Sequence, residues 1–384
     1  MGVKREIEID AVRGLMLAWM TLVHLPTALT PWVNQPFGYV SASEGFIFLS
    51  SLFTGRIYYR LLTRDGFGQM NLRLVARTLR LYGYHVMLLL FAFVVAAHYA
   101  IGAQRQALYN LLDFYFAAGP SRAIRDALLL VYRPPLLDII PLYIIFLLIS
   151  PIVIVAANRI SWKWILGVSF ALWVGAQFGL RQASYSFLHH FLLRIPLNEM
   201  GAFDLWGWQL VWVIGIWCGV RWAKHDLPAE KWAERLWIPA AVVVVALCSV
   251  RYLQLFGLDF GSYAPLFDKW HVGAIRLLNC SAAAMLLIRF REALRPLAIR
   301  PFVLMGQSSL QVFSMHFLFC FLGIGMVGNA DRIFGWKQAA LIVGTFAGLL
   351  LIAQAYARPE LTTQASSERR ATPNRAEDRI TRAA

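Results

Sequence analysis

The sequence predicts an all-α fold: a polytopic integral membrane bundle of about ten transmembrane helices with both termini in the cytoplasm. Three observations predict it. Of 384 residues, 59% are apolar, 14% aromatic and only 15% charged, and the mean hydropathy is +0.57, far too apolar for a soluble domain. Apolar windows close to the ~20 residues needed to cross ~30 Å of hydrocarbon recur along the chain. Lys and Arg gather at the ends of these windows and are denser on the side that holds the N-terminus, which the positive-inside rule assigns to the cytoplasm. The formal charge of +15 is therefore read as topological. A nucleic-acid binder would concentrate it on one soluble face.

In chain order, spans are expected near residues 11–31, 44–62, 81–101, 137–157, 162–180, 204–222, 236–255, 272–290, 301–325 and 337–356. The start MGVKREIEID is short and basic, and the span after it is too long for a removable signal peptide, so it reads as a cytoplasmic lead into a permanent helix. Segment 182–203 is a candidate re-entrant or interfacial helix. The non-cytoplasmic loops 102–136 and 181–203, the latter with His189 and His190, fit either a polar extracytoplasmic ligand or lipid headgroups. Residues 1–357 form one transmembrane domain. The tail 358–384 is rich in Ser, Thr, Arg and Glu, lacks an apolar period and is expected to be disordered. Cys218, Cys248, Cys280 and Cys320 all lie in apolar stretches without close spacing, which predicts neither disulfides nor a metal site. No Walker loop, GxGxxG, HExxH or internal repeat occurs.

Four clusters carry candidate chemistry. In the first span, Arg13 and His24 interrupt an apolar run, and ionisable residues inside a span are costly enough to suggest a function. The eleven-residue step between them turns through about 1100° and rises about 16 Å, so both fall on one helix face. A plainer account has Arg13 snorkelling to headgroups and His24 packed with satisfied nitrogens. Glu44 opens the second span, where it either caps the helix or orients the imidazole of His24. Arg73, Arg77 and Arg80, at i, i+4 and i+7, line one face suited to phosphate or to anionic lipid, with Arg56 and Arg60 adding to the same basic surface. In the ninth span, Ser308, Ser309, Gln311, Ser314 and His316 suit interhelical hydrogen bonding, or a cavity shared with His24 at similar depth. Arg276 lies inside the eighth span.

The segments RGLMLAWMTLVHLP, FGYVSASEGFIFLSS, PPLLDIIPLYIIFLLISP, FDLWGWQLVWVIGIWCG, KWHVGAIRLLN and LMGQSSLQVFSMH, in this order, resemble the OpgC family of bacterial inner-membrane proteins, within a wider superfamily of membrane O-acyltransferases. The resemblance covers nearly everything from Asp10 to the last spans. It implies an acyltransferase that modifies periplasmic glucans, with acyl-CoA (succinyl-CoA or acetyl-CoA) as co-substrate, a glycan acceptor and the lipid bilayer as partners, and no nucleic acid. It assigns His24 as the essential histidine, Arg13 as the arginine nearer the cytoplasm, Glu44 as the acidic residue opening helix two, and Arg73, Arg77 and Arg80 as the basic stretch before helix three. His316 joins the catalytic candidates, and Ser314 and Arg276 are candidates for substrate contact, Arg276 for the distal carboxylate of a succinyl group. Two positions depart from the family pattern: Val23 stands where Asp commonly precedes the histidine, and Ser51 where Gly commonly follows FLS.

On this reading cytoplasmic arginines hold the donor's phosphates, the thioester rises along the first helix and His24 takes a proton from a sugar hydroxyl. A covalent acyl-histidine step is the variant of this scheme. Two alternatives come from other classes: a transporter or exporter in which His24, Glu44 and His316 relay protons, and a non-catalytic scaffold of a glycan-modifying complex. The paired, broken helices typical of transporters are not evident.

Overall fold

A computed structural model describes residues 7–191, 195–257, 259–327 and 332–357. The expected tail, 358–384, lies outside them. Helices dominate and no strand occurs among the described residues; one isolated bridge joins Thr27 to Ile333. The helices that position the site are α1 (Ile7–His24), α2 (Ala42–Leu90), α3 (Ile139–Arg159), α4 (Trp162–Gln177), α5 (Leu180–Phe191), α6 (Leu205–Ala223), α7 (Ala229–Leu255), α8 (Ala274–Arg289), α9 (Arg300–Gln307), α10 (Ser309–Met326) and α11 (Gly335–Tyr356).

Among the described residues, six helical runs are long and apolar enough to cross a membrane, and the pair α4 and α5, bent by 83°, adds a seventh if it counts as one broken span. Their outward faces carry the apolar side chains that lipid requires: Ile152, Val168, Val242, Val245, Val343 and Leu351 are all more than half exposed. The chain is a multi-pass membrane protein.

The longest run, Ala42–Gly102, covers two expected spans and the basic stretch between them. It is a hairpin. Gly66 breaks the helix with φ 80° and ψ 174°, a backbone conformation that glycine alone adopts without strain. After the break the chain returns alongside itself, so that Arg77 donates to Thr54 Oγ1 across the fold at 3.4 Å. The basic stretch is thus the first part of the returning arm, which continues through a π-helical turn at Phe91–Ala96.

Two expected elements differ. The window 301–325 is two helices, because the chain breaks at Ser308, whose hydroxyl donates to Ala353 O (3.0 Å) on α11 instead of facing its own helix. The window 272–290 yields a 16-residue helix, preceded by a loop that is pinned to its neighbours. The loop 102–136 contains short helices at Gln106–Leu111, Asp113–Ala118 and Pro120–Leu128.

Glycine permits two close helix crossings. A Cβ on Gly14 would lie 1.9 Å from Phe302 O, and one on Gly306 1.8 Å from Asp10 O, so α1 and α9 meet backbone to backbone. Between α2 and α6 the same role falls to Gly55, Gly215 and Gly219, the last two in the small-xxx-small spacing of packed membrane helices. Ser51 sits over Gly215, where a Cβ would be 1.7 Å from its Oγ, and donates to Phe48 O at 2.8 Å. The larger residue at 51 is accommodated by the absent side chain at 215.

Candidate active site

Arg13 and His24 do share one face, and that face runs along α10. Near the start of α10, Arg13 Nη2 donates to Ser309 Oγ at 2.5 Å; about two turns further on, His24 Nδ1 meets His316 Nε2 at 3.3 Å. The imidazole rings stack with centroids 5.5 Å apart and planes 22° apart. Phe317 lies against both rings, at 6.1 Å from His24 and 3.9 Å from His316, and Phe313 and Phe46 extend the apolar wall with rings stacked at 4.6 Å.

The partners determine which nitrogen carries each proton. His316 Nδ1 hydrogen-bonds to Phe313 O, and a carbonyl only accepts, so His316 Nδ1 bears the hydrogen and its Nε2 presents a lone pair. His24 Nδ1 must then be the donor to His316. In neutral His24 this leaves the lone pair on Nε2, and no hydrogen-bond partner of Nε2 occurs among the described residues. The pair is therefore polarised in one direction: a proton arriving at His24 Nε2 is stabilised through the Nδ1–H held by His316. His316 takes the orienting place that a carboxylate takes in a triad, without placing a second charge in an apolar setting.

Glu44 does not take that place. Its carboxylate accepts from Ser41 N–H at 3.0 Å and from the Ser41 hydroxyl, completing a capping box at the start of α2, and pairs with Arg276 Nη1 at 2.6 Å. Both partners are about 1% exposed, and a charge that deeply buried is held only with its counter-ion. The same ion pair removes Arg276 as a free cation for substrate; its Nε adds a contact to Phe267 O at 3.4 Å. Ser314 is not brought to the histidines either. It lies two residues, about 200°, from His316 around the helix, and its hydroxyl donates to Leu310 O at 2.9 Å.

Of the three arginines in the returning arm of α2, Arg77 turns inward. It borders the buried stripe of Met70, Leu74, Thr78 and Leu81, whereas Arg73 and Arg80 fall on its far flank and are exposed. Arg77 Nη2 donates to Tyr143 Oη at 2.6 Å. With Arg13, Ser50, Tyr143, Ser309 and Phe313 it lines a cavity of about 40 Å³, room for roughly one ordered water. This cavity lies between the two guanidinium groups and the Phe313 turn that holds His316. Arg56 is engaged elsewhere, stacked 3.3 Å from the Trp222 ring centroid.

One contributor, Tyr143, escaped the sequence reading, as did an ion pair in the loop between α7 and α8. Tyr143 was hidden in an apolar run, marked only by being its one phenol. The pair, Asp268 and His271, precedes a helix whose Arg276 drew the attention. His271 Nδ1 and Asp268 Oδ2 are 2.5 Å apart. That hydrogen bond raises the imidazole above its ordinary range against the opposing effect of burial. For Asp268, burial pushes the carboxyl up, but the His271 ring and backbone hydrogen bonds outweigh it and hold it below the usual range.

Compared with known families, residues 5–360 match the model described as OpgC protein. No curated protein and no solved structure matches the chain.

Proposed function

The chain belongs to the OpgC family, and from that premise we propose that it is a membrane-embedded O-acyltransferase of the bacterial inner membrane, moving a succinyl or acetyl group from cytoplasmic acyl-CoA to hydroxyls of a periplasmic glucan or related envelope glycan. The observation that carries this reading is the His24–His316 pair, with its one unengaged nitrogen at His24 Nε2. That nitrogen accepts the proton of the sugar hydroxyl, the alkoxide oxygen bonds to the thioester carbonyl carbon, and the C–S bond breaks. The proton on His24 then passes to the departing thiolate, returning the pair to its starting state.

The donor enters from the cytoplasmic side, with the exposed Arg73 nearest its phosphates and Arg13 and Arg77 deeper along its arm, and Arg80 a turn beyond Arg77 on the exposed flank. The small cavity between the Arg13 and Arg77 guanidinium groups must widen as the arm enters. The Gly66 hairpin, with its returning arm held at this level by Arg77 through Tyr143 and Thr54, is the element placed to move. Ten crossings with both termini inside suit this scheme: the hairpin supplies two and the bent α4–α5 pair one. α1, α3, α6, α7, α8, α10 and α11 supply one each, and residues 1–357 act as a single domain.

Mass spectrometry of cell-envelope glucans with and without the protein tests the proposal. A mass difference of one or more acyl groups is expected; identical spectra, with the protein present in the membrane, would contradict it.

A further inference from the structure

Away from the histidine pair, the turn Gly201–Phe203 that leads into α6 gathers charged side chains from elsewhere in the chain. Gly201 sits at φ 82° and ψ 161°. A Cβ there would lie 2.9 Å from Asp138 Cβ and 3.0 Å from Arg133 Cβ, so both stems pack on its bare Cα. Asp138 Oδ2 accepts from Ala202 N–H at 3.1 Å. Arg181 donates to Ala202 O at 3.1 Å and to Gly201 O at 2.5 Å, and Lys269 Nζ lies 5.7 Å from the Phe203 ring centroid.

Arg133 is the member of this group whose charge is left unanswered. The residue is only 9% exposed. Its backbone N–H donates to Glu199 O at 2.9 Å and its Nε to Leu130 O at 3.1 Å. Those bonds and the Gly201 contact fix the stem and one edge of the guanidinium. The other edge, Nη1 and Nη2, donates to nothing among the described residues, and neither nitrogen is sealed from solvent. No Asp or Glu among the described residues forms an ion pair with Arg133. The Asp138 carboxylate is engaged by Ala202, and that of Glu199 by Asn198 Nδ2 at 2.7 Å. Burial draws the Arg133 pKa down to about 10, with Asp138 opposing the fall and Arg181 adding to it. The group therefore stays charged at neutral pH, in a place where a cation is favourable only with an anion beside it.

We propose that the free Nη edge of Arg133 binds a carboxylate or phosphate group of a water-soluble ligand, at the end of the bundle where α3 and α6 begin. A guanidinium with a fixed stem and two parallel donors is a preorganised fork for such oxygens. Arg181 and Lys269 add positive potential at the same turn. The apolar neighbours Tyr132, Leu137 and Phe203 are buried, which favours a soluble ligand over a lipid with acyl chains to cover. On the proposed topology this end faces the periplasm. The site is separate from the histidine pair, and it stands or falls independently of the acyltransferase reading.

The test uses the full chain in neutral detergent, free of phosphate. Phenylglyoxal, which modifies accessible guanidinium groups, is applied with and without inorganic phosphate or succinate at constant ionic strength, and modification of Arg133 is read by peptide mass spectrometry. Arg133 is expected to be modified in the free protein and protected by either anion; no modification, or modification that neither anion slows, would overturn the proposal. Calorimetric titration with the same two anions gives the affinity. Arg133→Gln and Arg133→Met should weaken it by about tenfold or more, the scale of a lost charge-assisted contact, and Arg133→Lys should keep part of it. Wild-type affinity in both neutral variants would place the anion on other arginines and overturn the assignment. Thermal unfolding identifies a variant that fails to fold, and the labelling of wild type needs no variant. A glucuronate-ended glucan oligosaccharide that binds more tightly than glucuronate places the anion on a glycan, whereas equal affinity places it on a small free ligand; both support the site. Protection by phosphatidylglycerol vesicles but not by phosphate would make the ligand a lipid and contradict the proposal.

Discussion

His24 gains its direction from a neighbour that is itself uncharged. Because His316 Nδ1 is committed to Phe313 O, His24 is expected to be the Nδ1–H tautomer. ¹⁵N NMR of histidine-labelled protein should show His24 Nε2 unprotonated, and His316→Phe should scramble that preference while lowering transfer by about 10²-fold or more; a His24 tautomer unaffected by the change would argue against positioning by His316. Glu44 belongs to a different class of residue. Glu44→Gln leaves the Arg276 guanidinium buried without a counter-ion, a loss of about 3–5 kcal/mol, whereas Glu44→Gln with Arg276→Met should recover much of it, measured by thermal unfolding in detergent. A Glu44→Gln protein as stable as wild type would show that the pair is not what holds the outer ends of α2 and α8 together. At this scale the sequence revealed which residues are costly but not how they pair. The spacing of Arg13 and His24 placed them on one face, while the Glu44–Arg276 pair spans 232 positions, and no local pattern could report it.

The elements show the same division. The α1 face and the capping box at Ser41–Glu44 are local patterns, and they survive in the structure, whereas the three arginines before the third expected span divide, Arg77 turning inward and Arg73 and Arg80 staying exposed. The break at Ser308 depends on a partner elsewhere in the chain, Ala353, and is not signalled by hydropathy, whereas the Gly66 turn falls between two spans that hydropathy marks. The Gly14–Gly306 crossing makes a direct prediction. Gly14→Ala adds a Cβ where Phe302 O stands 1.9 Å away, so α1 must move from α9 at a cost of about 1–3 kcal/mol. Because α1 carries His24, transfer should fall along with the unfolding temperature; an unaltered protein would mean that the helices are not in backbone contact. The loop between α7 and α8 carries its own pH signature. The raised His271 contributes stability that is complete below its unfolded value of 6.5 and is lost as pH rises through its folded value. The lowered Asp268 contributes stability that is present above its unfolded value of 3.8 and is lost as pH falls. The excess unfolding temperature of wild type over Asp268→Asn should therefore peak between about pH 4 and 6.5 and shrink on both sides; a constant difference would exclude the pair as its source.

For the molecule as a whole, the apolar composition and the clustering of Lys and Arg at span ends were enough to predict a helical membrane protein, because both are one-dimensional signals. The site required three dimensions, since it joins α1, α2, α3 and α10. The proposed topology places the Gly66 turn in the cytoplasm and the loop between α7 and α8 outside. Membrane-impermeant thiol labelling of single cysteines should reach Asn198→Cys from outside and Asp65→Cys only after the membrane is opened; the reverse pattern would invert the donor path. The most direct measurement is transfer itself. Reconstituted wild type and His24→Ala would be incubated with acyl-CoA and a glucan acceptor, following acylated glucan by mass and free CoA by thiol release. Wild type should yield the two products in equal amounts, and His24→Ala, folded to the same extent, should yield neither at a rate above about one part in 10². Acylation by His24→Ala at the wild-type rate would contradict the account.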